Sequence, residues 1–107
     1  MASNDEVREI ARQFDLQKHD FDQVATAFLE LDQPSIPDAL INAIEQGARE
    51  IVVLPYFLSA GRHVSEDIPA EVASVQKDYP DVIINIAPYL GASARMPEIL
   101  LSQAKKV

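Results

Sequence analysis

The sequence predicts an α/β fold, a parallel sheet flanked by helices on both faces, built as one domain over residues 1–107. Three observations predict it. Short apolar runs rich in β-branched and aromatic residues alternate along the chain with capped, amphipathic helical segments, and that alternation implies right-handed crossovers between parallel strands. The run "EIVVLPYF", Glu50 to Phe57, is apolar on both faces, as a parallel strand covered on each side should be. No Gly/Ser linker, repeat or low-complexity tract interrupts the 107 residues, a length close to that of one ordinary domain.

The elements follow in order. "SNDEVREIARQF" opens with a capping box in which Ser3 and Glu6 satisfy each other's amides, and Val7, Ile10, Ala11 and Phe14 recur at helical spacing. "FDQVATAFLEL" reads as a buried strand from about Asp22 to Leu29. "SIPDALINAIEQGA" is a helix capped by Ser35 with Asp38 completing the box, lined by Ile36, Leu40, Ile41 and Ile44, and ended by Gly47. The second strand, "EIVVLPYF", is followed by a helix that Ser65 or Asp67 can cap. Pro69 suits its first turn and Pro80 stops it after Tyr79. "DVIINIAP" is the third strand. "SARMPEILLSQAKK" is the last helix, ending in Lys105 and Lys106 where cations suit the dipole, with Leu100 and Leu101 read as core. Doubly wound units normally begin with a strand that becomes central. Here a helix cap is already the third residue, so the chain is expected to begin one element late, with its first strand missing.

Composition narrows the chemistry. A net charge of −8 gives no broad attraction to nucleic acid or an anionic membrane, so neither is an expected partner. The absence of cysteine excludes disulfides, thiolate metal sites and cysteine nucleophiles, leaving His, Asp, Glu and carbonyls as metal ligands. The start, "MASNDEVRE", is acidic and unlike a secretory signal, and no apolar run is long enough to span a bilayer, so a soluble cytoplasmic protein is the expectation.

Ligands of open parallel sheets bind at the carboxyl ends of the strands, where the βα loops meet. Three loops qualify: "LELDQPS", "LSAGRHVSED" and "YLGASA". The second is the longest and carries Gly61, Arg62 and His63, with Ser59 and Gly61 permitting tight turns. Glu30 closes the run "VATAFLE" at the same edge, where a carboxylate must be solvated, paired or bound to a cation. His63 and Glu30 are therefore expected to face one cavity, and an imidazole beside a carboxylate suits a divalent metal or a proton. His19 falls at the opposite edge and reads as surface, as does Arg95. On these grounds alone the loop edge is a metal or anion site. No phosphate loop, dinucleotide fingerprint or nucleophile elbow is present.

Those residues also carry a resemblance. "AFLEL" and "PSIPDAL", then "GAREIVVLPYFLSAGRHVSEDIP" and "APYLG", closely resemble the small, single-domain sirohydrochlorin chelatases of the CbiX type, over nearly the whole chain. The resemblance implies insertion of a divalent metal, Co2+ or Fe2+ and in some members Ni2+, into a sirohydrochlorin-type tetrapyrrole in cobalamin or siroheme biosynthesis. It implies no prosthetic cofactor, the metal being a substrate, and a homodimer. The family's metal-handling Glu and Gly-Arg-His histidine fall on Glu30 and His63, which would be both catalytic and metal-binding. Its further histidine, in an "HGS"-type strand end before the segment matching "ASNDEV", has no counterpart here. On this reading Ser59, Gly61 and Arg62 hold the carboxylates of the substrate, and Leu58, Pro88, Tyr89 and Leu90 line an apolar wall for the macrocycle. The alternative is a catalytically impaired metal- or tetrapyrrole-binding module derived from that family.

Overall fold

The computed structural model describes residues 2–107, with side chains from Asn4 onward, and falls into two compact units, one up to Ala48 and one from Arg49.

In the first unit, α1 spans Ala2–Leu16, starting one residue before the predicted cap, whose side chain lies outside the described residues. Asp5 with Arg8 and Glu9 with Arg12 form ion pairs one turn apart along it. Of the predicted apolar stripe, Val7 and Ala11 are half-buried whereas Ile10 and Phe14 are exposed. The predicted strand from Asp22 to Leu29 does not form. Phe28 makes a single parallel bridge, to Ser35, with its amide donating to the Pro34 carbonyl at 2.9 Å. Strand preference measures packing against neighbouring strands more than an intrinsic backbone choice, and this segment finds only that one bridge across its own loop. Phe28 is nonetheless buried, with the Arg8 guanidinium 4.8 Å from its ring centroid.

Helix α2, Ile36–Glu45, is specified as the sequence predicts. Ser35 Oγ accepts from the Asp38 amide at 3.2 Å, and Ile36, Leu40 and Ile44 are buried. At its end Gly47 takes φ +107°, its amide donating to Ile44 O and that of Ala48 to Ala43 O. That reversal needs a left-handed residue, which glycine supplies without a Cβ clash.

The second unit holds β1, Glu50–Val53, and β2, Ile83–Ile86, paired in parallel with Glu50 opposite Ile83 and Val53 opposite Ile86. The α/β class and the parallel pairing agree with the sequence. Two strands form among the described residues where three were predicted. Helix α3, Ile68–Gln76, packs against β2 and buries Ile68, Val72 and Val75. The Gln76 side-chain amide donates to Val82 O at 2.6 Å and to Tyr79 O at 3.0 Å, tying the turn between them. Coverage of the sheet is less complete than the apolar run predicts, because Val52, Leu54 and Tyr56, alternating along one face, stay exposed. Helix α4, Met96–Ala104, has no buried residue. Leu100 and Leu101, read as core from the sequence, are 63% and 58% exposed, whereas Ile44 is core as predicted.

Candidate functional site

Beyond β1 the chain reaches Pro55, which lies fully buried and has no amide to continue a ladder. Its carbonyl instead accepts from Leu90 N at 3.1 Å, and the Phe57 carbonyl accepts from Gly91 N at 3.0 Å. The loops that follow the two strands are thus joined backbone to backbone at the carboxyl edge of the sheet. Leu58 lies on the first of these loops, and Tyr89 and Leu90 on the second. Tyr89 and Leu90 are half-buried, and Leu58 and Pro88 are exposed.

The next residues turn into a helix without a side-chain cap. The Gly61 carbonyl accepts from Val64 N, Ser65 N and Ser65 Oγ at 3.0–3.1 Å, and this one acceptor organises the start of the turn. His63–Asp67 then form a single π-helical turn, closed by the Ile68 amide on the His63 carbonyl, which runs directly into α3. Asp67, predicted as a helix cap, is already in helical conformation and makes no capping bond. Its carboxylate lies instead 2.7 Å from His63 Nδ1. One residue earlier, Arg62 Nε donates to Glu66 at 3.1 Å. The Phe57 ring sits 5.9 Å from the imidazole, centroid to centroid. His63 and Asp67 keep 47% and 39% of their side-chain surface, so the pair is oriented by its surroundings and still reached by solvent.

Ser59, Gly61 and Arg62 all lie exposed along the same loop. Ser59 and Gly61 were expected to permit tight turns, yet a Cβ built on Gly61 meets nothing within 4 Å. Farther along α3, burial first and then the nearby Asp67 charge raise the Glu71 carboxyl above its usual range.

Glu30 belongs to the first unit, where it is exposed at the end of the segment that buries Phe28. Leu31, next to it, holds φ +62° and is 81% exposed, an uncommon backbone state for a branched apolar residue. Asp32 anchors the loop. It accepts from Gln33 N at 2.7 Å and Asn4 at 3.1 Å, and pairs with Arg8 at 2.9 Å. Those three donors pull its carboxyl down to about 2.

His19 is more enclosed than a surface reading implies. Its side chain is 15% exposed, set between the Phe14 and Phe21 rings, with Nδ1 accepting from Phe21 N at 3.0 Å and Nε2 against Asp15 at 2.8 Å. Arg95 is a surface residue, as predicted, facing Glu98 at 3.6 Å. Among the described residues no three His, Asp or Glu side chains converge as a set able to hold a metal.

Sequence reasoning missed two residues here, Asp67 and Asp32. The spacing of four between His63 and Asp67 was the available signal, and it becomes informative only once the helix is known to begin at His63.

Comparison with known proteins places these loops in a wider setting. The CbiX family model matches residues 2–107. The chain is 34% identical over 87 residues to a sirohydrochlorin cobaltochelatase of Sulfurisphaera tokodaii, covering 81% of this chain and 69% of that one. It is 41% identical over 68 residues to a chloroplastic sirohydrochlorin ferrochelatase of Arabidopsis thaliana, covering 64% of this chain. It spans only 30% of that longer relative. Among solved structures, a putative cobalamin (vitamin B12) biosynthesis CbiX protein from Marinobacter aquaeolei VT8 superposes with a TM-score of 0.79. It is 28% identical, and the match covers 98% of this chain and 85% of that one.

Proposed function

The chain belongs to the CbiX family, and from that premise we propose that it inserts a divalent metal, Co2+ or Fe2+, into a sirohydrochlorin-type tetrapyrrole in cobalamin or siroheme biosynthesis. It does so as one chelatase-like domain, in the cytoplasm and as a homodimer. Both metals are named because its relatives include a cobaltochelatase and a ferrochelatase. The observation that carries the reading is the His63 imidazole, set on a helical turn at the carboxyl edge of the parallel strands, oriented yet open to solvent.

Metallating a tetrapyrrole requires that two pyrrole N–H protons leave while a partly desolvated ion is presented. A neutral imidazole can hold the ion briefly or take a proton, and His63 has that role. Glu30 contributes charge and a second, weak hold on the ion. Incomplete coordination is useful here, because a ligand set that closed around the metal would not release it. The substrate carries several carboxylates and the protein carries −8, so local donors must overcome an unfavourable global field. Arg62, Ser59 and the amides near Gly61 supply them. Leu58, Pro88, Tyr89 and Leu90 form the apolar wall for the macrocycle.

The test is anaerobic incubation with sirohydrochlorin and Co2+ or Fe2+, following the absorbance change on metal insertion. The unmodified protein accelerates insertion over buffer, and His63→Ala and Glu30→Ala each lose most of that rate. A rate no faster than buffer sinks the enzymatic reading, and metal or tetrapyrrole binding without turnover would assign a binding module instead.

A further inference from the structure

The two histidines of this chain each meet a carboxylate four residues away, but through opposite ring nitrogens. At His19 the Phe21 backbone amide, which can only donate, points at Nδ1, so the ring proton sits on Nε2 and is given to Asp15. At His63 it is Nδ1 that faces a carboxylate, Asp67, at 2.7 Å. An ionised carboxylate only accepts, so Nδ1 is the nitrogen that donates to Asp67, and Nε2 is the nitrogen whose lone pair a metal ion can use.

We propose that Asp67 is the positioning residue of this site: it fixes the tautomer and the ring plane of His63 so that Nε2 is the nitrogen offered to the ion. The inference rests on the reading of His63 as the metal-handling group. A ligating histidine gains basicity and a fixed orientation when its other nitrogen donates to a carboxylate. The local backbone is built to hold the pair. The π-helical turn is closed by Ile68 N on His63 O, and Ile68 itself is 2% exposed, so the turn is pinned to the interior at the residue after Asp67. The Phe57 ring limits rotation of the imidazole from one side.

Two-bond 1H–15N correlation spectra of 15N-labelled protein, recorded where both imidazoles are neutral, read the tautomers directly. His63 appears with its proton on Nδ1 and His19 with its proton on Nε2. Asp67→Asn, whose amide can donate to Nδ1, moves His63 toward the Nε2–H form. It also lowers Co2+ affinity, titrated with the metal alone, or the maximal insertion rate, on the order of 10–100-fold. Asp67→Glu keeps an acceptor and recovers part of that loss, which a merely structural role would not produce. An Nε2–H tautomer at His63 in the unmodified protein overturns the proposal. So does an Asp67→Asn protein unchanged in tautomer and Co2+ affinity. His63→Ala separates the two claims: if it retains full turnover, the assignment of His63 to the metal fails, while the tautomer shift in Asp67→Asn still decides the positioning contact.

Discussion

A Cβ placed on Gly91 would lie 1.8 Å from the carbonyl oxygen of Leu58, and 2.5 Å from its carbonyl carbon. Nothing about the glycine's own backbone demands that residue, since it is the neighbouring chain that leaves no room. The contact joins the loop after β2 to the loop after β1, beside the hydrogen bonds from Leu90 and Gly91 to the Pro55 and Phe57 carbonyls. Gly91→Ala must therefore push the two loops apart. We expect a loss of at least about 1–3 kcal/mol in urea unfolding, the range of overpacked substitutions, together with loss of insertion activity. Unchanged stability would mean that the loops are not held as described.

Gly61 gives the opposite case within the same motif. A Cβ there meets nothing within 4 Å, and its φ lies outside the left-handed region. Gly61→Ala should fold with unaltered urea stability. If the amides near Gly61 approach the tetrapyrrole, the added methyl raises KM for sirohydrochlorin several-fold and leaves Co2+ binding intact. Wild-type kinetics in Gly61→Ala would remove this glycine from the substrate surface.

These two glycines mark what the sequence could reveal. Features specified by local chemistry were legible: the Ser35 cap, the left-handed Gly47, the apolar β1 run and the helix around Val72. Features set by a distant neighbour were not. The segment around Phe28 has the composition of a strand, but a ladder needs a second backbone beside it. Leu100 and Leu101 fit a core helix and are exposed. The start of the turn at His63 carries no capping signature, since it is organised by the Gly61 carbonyl, and so the partnership of His63 with Asp67 stayed hidden. The candidate residues themselves were named from loop position and resemblance, and the atoms that orient them came only with the structure.

Acid should loosen the Glu30 loop through Asp32. Its carboxyl is held at about 2 in the fold, below its ordinary 3.8, by Gln33 N, Asn4 and Arg8. A depressed folded value means a contribution fully present above pH 3.8 and lost as the pH falls toward about 2. Glu9, drawn to about 2 by Arg12 and Gln13, adds to the same window. Asp32→Asn should lower stability at neutral pH and flatten its dependence on pH below 4, as followed by denaturant midpoints measured at successive pH values. If both proteins show the same acid profile, the Asp32 contacts do not hold the loop in solution.

The two histidines should separate stability from activity. His19 is enclosed by Phe14 and Phe21 and engages a partner at each nitrogen. His19→Ala leaves the Phe21 amide and Asp15 without those partners and opens space between two rings, a change expected to cost about 1–2 kcal/mol. Its insertion rate, measured well below its unfolding midpoint, should stay near wild type. His63 keeps nearly half of its side-chain surface open to solvent beside Asp67 and the Phe57 ring, so His63→Ala should shift the unfolding midpoint little and remove most of the rate. Thermal unfolding and single-turnover insertion on the same preparations check both halves. Should His19→Ala lose rate while remaining folded, or His63→Ala unfold before it loses rate, the division of labour assigned to these two imidazoles would be reversed.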